Sequence, residues 1–186
     1  MKKAAVFTAT GFEEGETLTI TDIIRRAGIE CHLVGLDKDV TGGHGITVRC
    51  DRTICDMDRN YDMVILPGGY EGVDNLANSD KILEIIKEYD AAGKYICAMC
   101  AAPVVLEKAG LLEGRKFTAY MGYDKKIKAG TFLEDKIVVD GNLVTSRGPA
   151  TAYAFAYKLV DLLGGDSLAV KNRMVYFNAF DVKEDE

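Results

Sequence analysis

The 186-residue chain carries 23 basic and 29 acidic side chains, a net charge of −6, and is 48% hydrophobic and 28% charged. Those proportions describe a soluble globular protein of a single domain, large enough to bury a sheet between helix layers. Without a basic stripe, nucleic acid and anionic membrane surfaces are not expected partners. No apolar run approaches the roughly 18 residues of a membrane span, and the first strand follows Met1-Lys2-Lys3 directly. A cytoplasmic protein without leader or anchor is therefore expected. Five cysteines (Cys31, Cys50, Cys55, Cys97, Cys100) are an odd number without a secretion signal, which argues against a disulfide framework.

Residues 3–9 (KAAVFTA) read as a buried first strand broken at Gly11, and residues 13–27 as a helix closed by Gly28. At about 100° per residue, Ile20, Ile23, Ile24 and Ala27 share one stripe of that helix. Glu16 falls in the middle of the stripe, Glu14 points to the other side with Thr21 and Arg25, and Glu13 stays in the first turn. A carboxylate on an apolar face is costly, and desolvation should raise its pKa until it holds a proton near neutrality. The plain alternative is a solvated first-turn glutamate that complements the helix dipole.

Residues 31–36 form the second strand. Residues 37–61 are mixed, with a Gly-rich turn (Gly42, Gly43, Gly45) and a short excursion, ITVRCDRTI. Residues 62–66 (DMVIL) are a buried strand running into Pro67-Gly68-Gly69. Free N–H groups there suit an oxyanion or another anion, although a strand-ending turn has the same residues. Residues 79–92 read as a helix stopped by Gly93, and Tyr95–Met99 as the next strand.

That strand stops at Cys100. Ala101, Ala102 and Pro103 follow, then an apolar-periodic run to Gly110. Proline suits the first helical turn and glycine the stop, so Cys100 should sit on a sharp strand-to-helix turn. A helix amino end should press its thiol towards thiolate. The arrangement resembles a nucleophile elbow with cysteine for serine, and a buried structural cysteine is the alternative. Cys97 and Cys100 form a C-x-x-C, but at roughly 3.3 Å per residue their Cα atoms would lie about 10 Å apart, beyond the ~7 Å a disulfide spans. Cys31-His32 and Cys50-x-x-x-x-Cys55 supply no familiar zinc set. Residues 137–139 and 143–145 flank Asp140-Gly141-Asn142 as a hairpin. Ser146-Arg147-Gly148-Pro149 then opens a helix to Leu163, and the tail from Lys183 reads as frayed.

Strands and helices alternate, which argues a mostly parallel sheet with helices on both faces and ligands outside the carboxyl ends of the strands. Glu16, Gly69 and Cys100 all fall there. Three segments converging favour a catalytic or sensing cysteine.

GFEEGETLTITDIIRRAGIE, DMVILPGG, AMCAAPVVL and TSRGPATAYAFA together resemble the ThiJ/PfpI superfamily, in its DJ-one-like branch, over about residues 3–165. The resemblance implies an α/β fold, a flavodoxin-like three-layer αβα sandwich, and a homodimer. It implies Cys100 as nucleophile on the elbow, Glu16 as a protonated partner, and the Gly69 and Ala101 N–H groups as the oxyanion site. Arg52 would reach the site from the partner subunit, with Arg49 as its rival, and Tyr120, Gly148 and Pro149 would line it. Departures count as well. PfpI-type members have a histidine directly after the cysteine, where this chain has Ala101, which argues against peptidase activity. Class I glutamine amidotransferases need a downstream histidine, whereas His32 and His44 both lie upstream. Tyr120 takes the place of a DJ-one histidine, leaving Glu16 as the main acid–base group.

Family members are credited with glutathione-independent glyoxalase, protein deglycase, peroxide-sensing and chaperone roles. The leading expectation is an enzyme acting on 2-oxoaldehydes or on glycated proteins, without metal or other cofactor. The alternative is a redox sensor or holdase whose Cys100 is oxidised to a sulfinate. A scaffold with an inert Cys100 is the third. Leu18, projecting away from the apolar stripe, is a pointer to the dimer face.

Overall fold

The computed structural model describes residues 2–177 and 179; the expected fraying from Lys183 lies outside them. In chain order the elements are β1 (Lys3–Thr8), α1 (Glu14–Arg26), β2 (Glu30–Gly35), β3 (Asp39–Thr41), β4 (Thr47–Arg49), β5 (Arg52–Thr53) and β6 (Met63–Leu66). Then come α2 (Tyr70–Ala77), α3 (Asp80–Ala91), β7 (Tyr95–Met99), α4 (Pro103–Lys108), β8 (Lys116–Phe117), α5 (Tyr123–Lys126) and β9 (Thr131–Phe132). The chain continues with β10 (Ile137–Asp140), β11 (Leu143–Ser146), a 3₁₀ turn (Pro149–Thr151), α6 (Ala152–Leu162) and α7 (Ser167–Arg173).

Seven strands make one sheet in the order β10-β11-β7-β6-β1-β2-β5. All its pairings are parallel except β10 with β11, the hairpin expected around Asp140-Gly141-Asn142. A central parallel strand is covered on both faces, so it reads as an unbroken apolar run. Ala4, Ala5, Val6 and Phe7 of β1 accordingly have no exposure. Helix α1 packs on α6 and α6 on α7, while α2, α3 and α4 pack on one another, giving helix layers on either side of the sheet. The fold is a flavodoxin-like α/β sandwich. No helix among the described residues is long and apolar enough to cross a membrane.

Three differences from the sequence reading matter. Helix α2 begins directly after Gly69, where only a turn was expected, because Gly72 and Asn75 are poor helix formers that hide its apolar face (Val73, Leu76, Ala77). The region 37–61 resolves into the β3–β4 hairpin and the edge strand β5. The segment after Gly148 starts as the 3₁₀ turn rather than as an α-helix.

Candidate active site

Strand β7 ends at Cys100, whose φ of 61° places a non-glycine residue in the left-handed region. Such a conformation persists only where its surroundings over-determine it, at a cost of roughly 1–3 kcal/mol. Here the Cys100 N–H donates to the Ser146 carbonyl (3.1 Å), and the Cys100 carbonyl accepts from the Tyr120 N–H (2.9 Å). The elbow is thus held between the end of β11 and the segment after β8. Ala101 and Ala102 are buried behind it. Cys97 lies fully buried on β7 and, like Cys100, is a free thiol.

Helix α1 brings Glu16 to the same place. Its apolar stripe of Ile20, Ile23 and Ile24 is fully buried, and Glu16 in that stripe has no exposure at all. Glu13 caps the helix, its carboxylate accepting from the Glu16 N–H. Glu16 Oε2 accepts from the Gly68 N–H at 2.7 Å, while Oε1 is buried without a hydrogen-bond partner. Burial raises the Glu16 pKa to about 7, against the lowering effects of the Gly68 N–H and the Cys100 thiol. The raised pKa expected from the sequence thus has its physical cause in desolvation, and near neutrality Glu16 is divided between its acid and carboxylate forms. Gly68 admits the pair. A Cβ there would stand 2.6 Å from Cys100 Cβ, and 2.8 Å from both Cys100 Sγ and Glu16 Oε2.

The surroundings of Cys100 act against the expected pressing of the thiol towards thiolate. Burial raises the Cys100 pKa, the negative charge of Glu16 and its hydrogen bonding raise it further, and the Ala101 and Gly69 N–H groups offset only part. Helix α4 has six residues and no side-chain cap, so only its first-turn N–H groups oppose the desolvation of the thiol.

Cys100 keeps 8% exposure, through a pocket of about 420 Å³. Ala101, Gly69, Tyr120 and Pro149 line that pocket together with Glu13, Tyr70, Glu71 and His44. Gly148 lines the neighbouring depression with Arg147 and Met121 instead. Arg52 sits on edge strand β5 and donates to the Asp51 carbonyl, and Arg49 forms an ion pair with Asp39 on the β3–β4 hairpin; neither lines the pocket of its own chain.

The expectation of a site without a histidine is corrected by His44. It sits in the Gly42–Gly45 turn of the β3–β4 hairpin and reaches the pocket because that turn folds over the start of α1. The Gly11 N–H donates to the Thr41 carbonyl (2.7 Å) and the Gly43 N–H to the Phe12 carbonyl (2.9 Å). Glu14, which faces away from the apolar stripe, is buried beneath the turn. It accepts from the His44 N–H (2.7 Å) and pairs with His44 Nδ1 (2.9 Å). Burial acts to raise the Glu14 pKa, but the His44 hydrogen bonds outweigh it and hold the carboxylate below its ordinary value. A histidine framed by three glycines was the available signal, and a search for downstream histidines passes over it. Glu13, Glu14 and His44 also bring ligand atoms within 4.8 Å of one another, although Glu13 already spends Oε2 on the helix cap and Glu14 both its oxygens on His44.

A family model described as the DJ-1/PfpI family matches residues 2–162. Protein dj-1beta of Drosophila melanogaster is 36% identical over 169 residues, which cover 88% of this chain and 90% of the fly protein. The deglycase PfpI of Pyrococcus furiosus is 34% identical over 165 residues, 87% of this chain and 99% of that one. Among solved structures, an oxidized Toxoplasma gondii DJ-1 matches with a TM-score of 0.89 at 32% identity, over 94% of this chain and 98% of its own. A cysteine elbow with a buried glutamate beside it thus lies in a chain that belongs to the DJ-1/PfpI family.

Proposed function

We propose that the protein is a glutathione-independent glyoxalase or deglycase-type enzyme, acting on 2-oxoaldehydes or their protein adducts through Cys100. The observation that carries this reading is the Glu16 carboxyl. It is sealed from water, held at Oε2 by the Gly68 N–H, and raised by burial to a pKa of about 7 beside a thiol at the floor of an open pocket. That pairing supplies what a buried, high-pKa thiol lacks, a neighbouring base. Ionised Glu16 takes the thiol proton as sulfur adds to the aldehyde carbon, so no free thiolate need accumulate. The new C–S bond leaves an oxyanion that the Gly69 and Ala101 N–H groups stabilise. Glu16 returns its proton to give the hemithioacetal. A proton then moves from the former aldehyde carbon to the adjacent carbonyl carbon, with Glu16 as the shuttle, leaving a thioester of Cys100. Water cleaves the thioester to the 2-hydroxy acid and the free thiol. The sum is oxoaldehyde plus water to hydroxy acid, with no external oxidant. The name of the Pyrococcus relative as a deglycase favours the same substrate class.

Lactate formation from methylglyoxal by purified protein tests the activity, and Cys100→Ser tests the mechanism. No turnover by the wild type rules out the activity, and undiminished turnover by the variant rules out the nucleophile.

A redox-sensing role is the second reading. A protonated Glu16, interacting with Cys100 and with Oε1 otherwise unpartnered, would donate to a sulfinate formed there. Intact mass after mild peroxide decides it: two added oxygens confined to Cys100 support sensing, and oxidation spread over the five cysteines counts against it.

A further inference from the structure

We propose that His44, oriented by Glu14, is the acid–base residue on the open side of the Cys100 pocket and activates the water that cleaves the Cys100 thioester. This rests on the glyoxalase reading above and assigns the step that reading leaves without a base. Glu16 has no exposure, so its proton traffic is confined to the inner side of the sulfur, whereas water arrives through the open pocket. Of the side chains on that open side, imidazole is the one that ordinarily both takes and returns a proton near neutrality.

The ring is held deliberately. Glu14 is only 5% exposed, yet it spends Oε1 on the His44 N–H and Oε2 on Nδ1. The backbone contact alone would pin the turn; the second contact fixes the ring and makes Nδ1 the protonated nitrogen, leaving Nε2 as the base. Among the described residues, Nε2 has no partner. Gly42 makes the room, since a Cβ there would stand 2.3 Å from Glu14 Oε1. In the step itself, water oxygen bonds to the thioester carbon as Nε2 takes its proton. The C–S bond then breaks, and the imidazolium gives that proton to the departing sulfur. Atoms and charge balance, and nothing is oxidised.

The titratable groups around His44 are Glu13 and Glu14 at the start of α1, Tyr70 and Glu71 on α2, and Cys100 and Tyr120 across the pocket. The Glu14 hydrogen bond and charge raise the His44 pKa, with Glu13 adding to them. Methylglyoxal turnover is to be measured against pH for wild type, His44→Ala and Glu14→Gln. In His44→Ala, kcat should fall by roughly 100-fold or more, KM should change far less, and added imidazole should restore part of the loss. In Glu14→Gln, the limb of the kcat profile that belongs to His44 should move to lower pH, because the ring loses the anion that raises its pKa. Wild-type kcat and pH profile in a folded His44→Ala would overturn the proposal alone. An unshifted limb in Glu14→Gln, with no imidazole rescue in His44→Ala, overturns it too. A wild type without turnover overturns the glyoxalase reading and this proposal together.

Discussion

Replacing Glu16 by glutamine should make the protein more stable at alkaline pH, the reverse of what losing a buried charged group usually does. In the folded protein the Glu16 pKa stands at about 7, against an ordinary value of 4.5, because burial penalises the carboxylate. A carboxyl whose folded pKa is raised binds its proton more tightly folded than unfolded. Its contribution to stability is therefore fully present below about pH 4.5 and is lost as pH rises through about 7. At about 1.4 kcal/mol per pKa unit, the loss across that window is about 3 kcal/mol. Glutamine imitates the protonated acid: its carbonyl can accept from the Gly68 N–H, and its NH₂ takes the place of the unpartnered Oε1. Urea denaturation of both proteins from pH 4.5 to 8.5 measures the difference. The two stabilities should lie close together at the acid end and diverge with pH, the variant gaining about 2–3 kcal/mol by pH 8. Groups such as His44 are present in both proteins and cancel in the difference. Parallel curves across the whole range would show that Glu16 ionises normally, and the account of the Cys100–Glu16 pair would fail with it.

Gly68→Ala should lower the Tm by roughly 2–10 °C, since overpacking costs about 1–3 kcal/mol, and should slow Cys100 alkylation. The added methyl presses on Cys100 and Glu16 from a buried strand end. An unchanged Tm with normal alkylation refutes the tight approach. Iodoacetamide should label Cys100 at a rate that climbs through about pH 7 as Glu16 ionises, an inflection that Glu16→Gln removes. Labelling with the same pH dependence in both proteins would leave Glu16 no part in activating the thiol. Leu18 stands 37% exposed on α1, so Leu18→Glu should weaken a homodimer in light scattering, and a wild type that runs as a monomer ends that reading.

Much of the framework was legible along the chain, because the signals are local. An apolar run such as DMVIL, or the Ile20-Ile23-Ile24 stripe, carries its own periodicity, and β6 and α1 lie where that periodicity puts them. Helix α2 was hidden because Gly72 and Asn75 blur the same signal. Cys100 announced its turn through the strand before it and the proline after it.

The chain by itself determined the sheet-forming runs, the elbow at Cys100 and the placement of Glu16 on an apolar helix face. Only the tertiary structure decided the state of the thiol. The Cys100 pKa depends on burial and on the Glu16 charge, both set by packing between segments 84 positions apart in the sequence. His44 was decided in the same way. The three glycines around it mark a tight turn but not its place in the Cys100 pocket, and it arrives there because the β3–β4 turn hydrogen-bonds to Gly11, Phe12 and Glu14. Local residue patterns encode which element forms, whereas proton affinities belong to the groups that folding brings together.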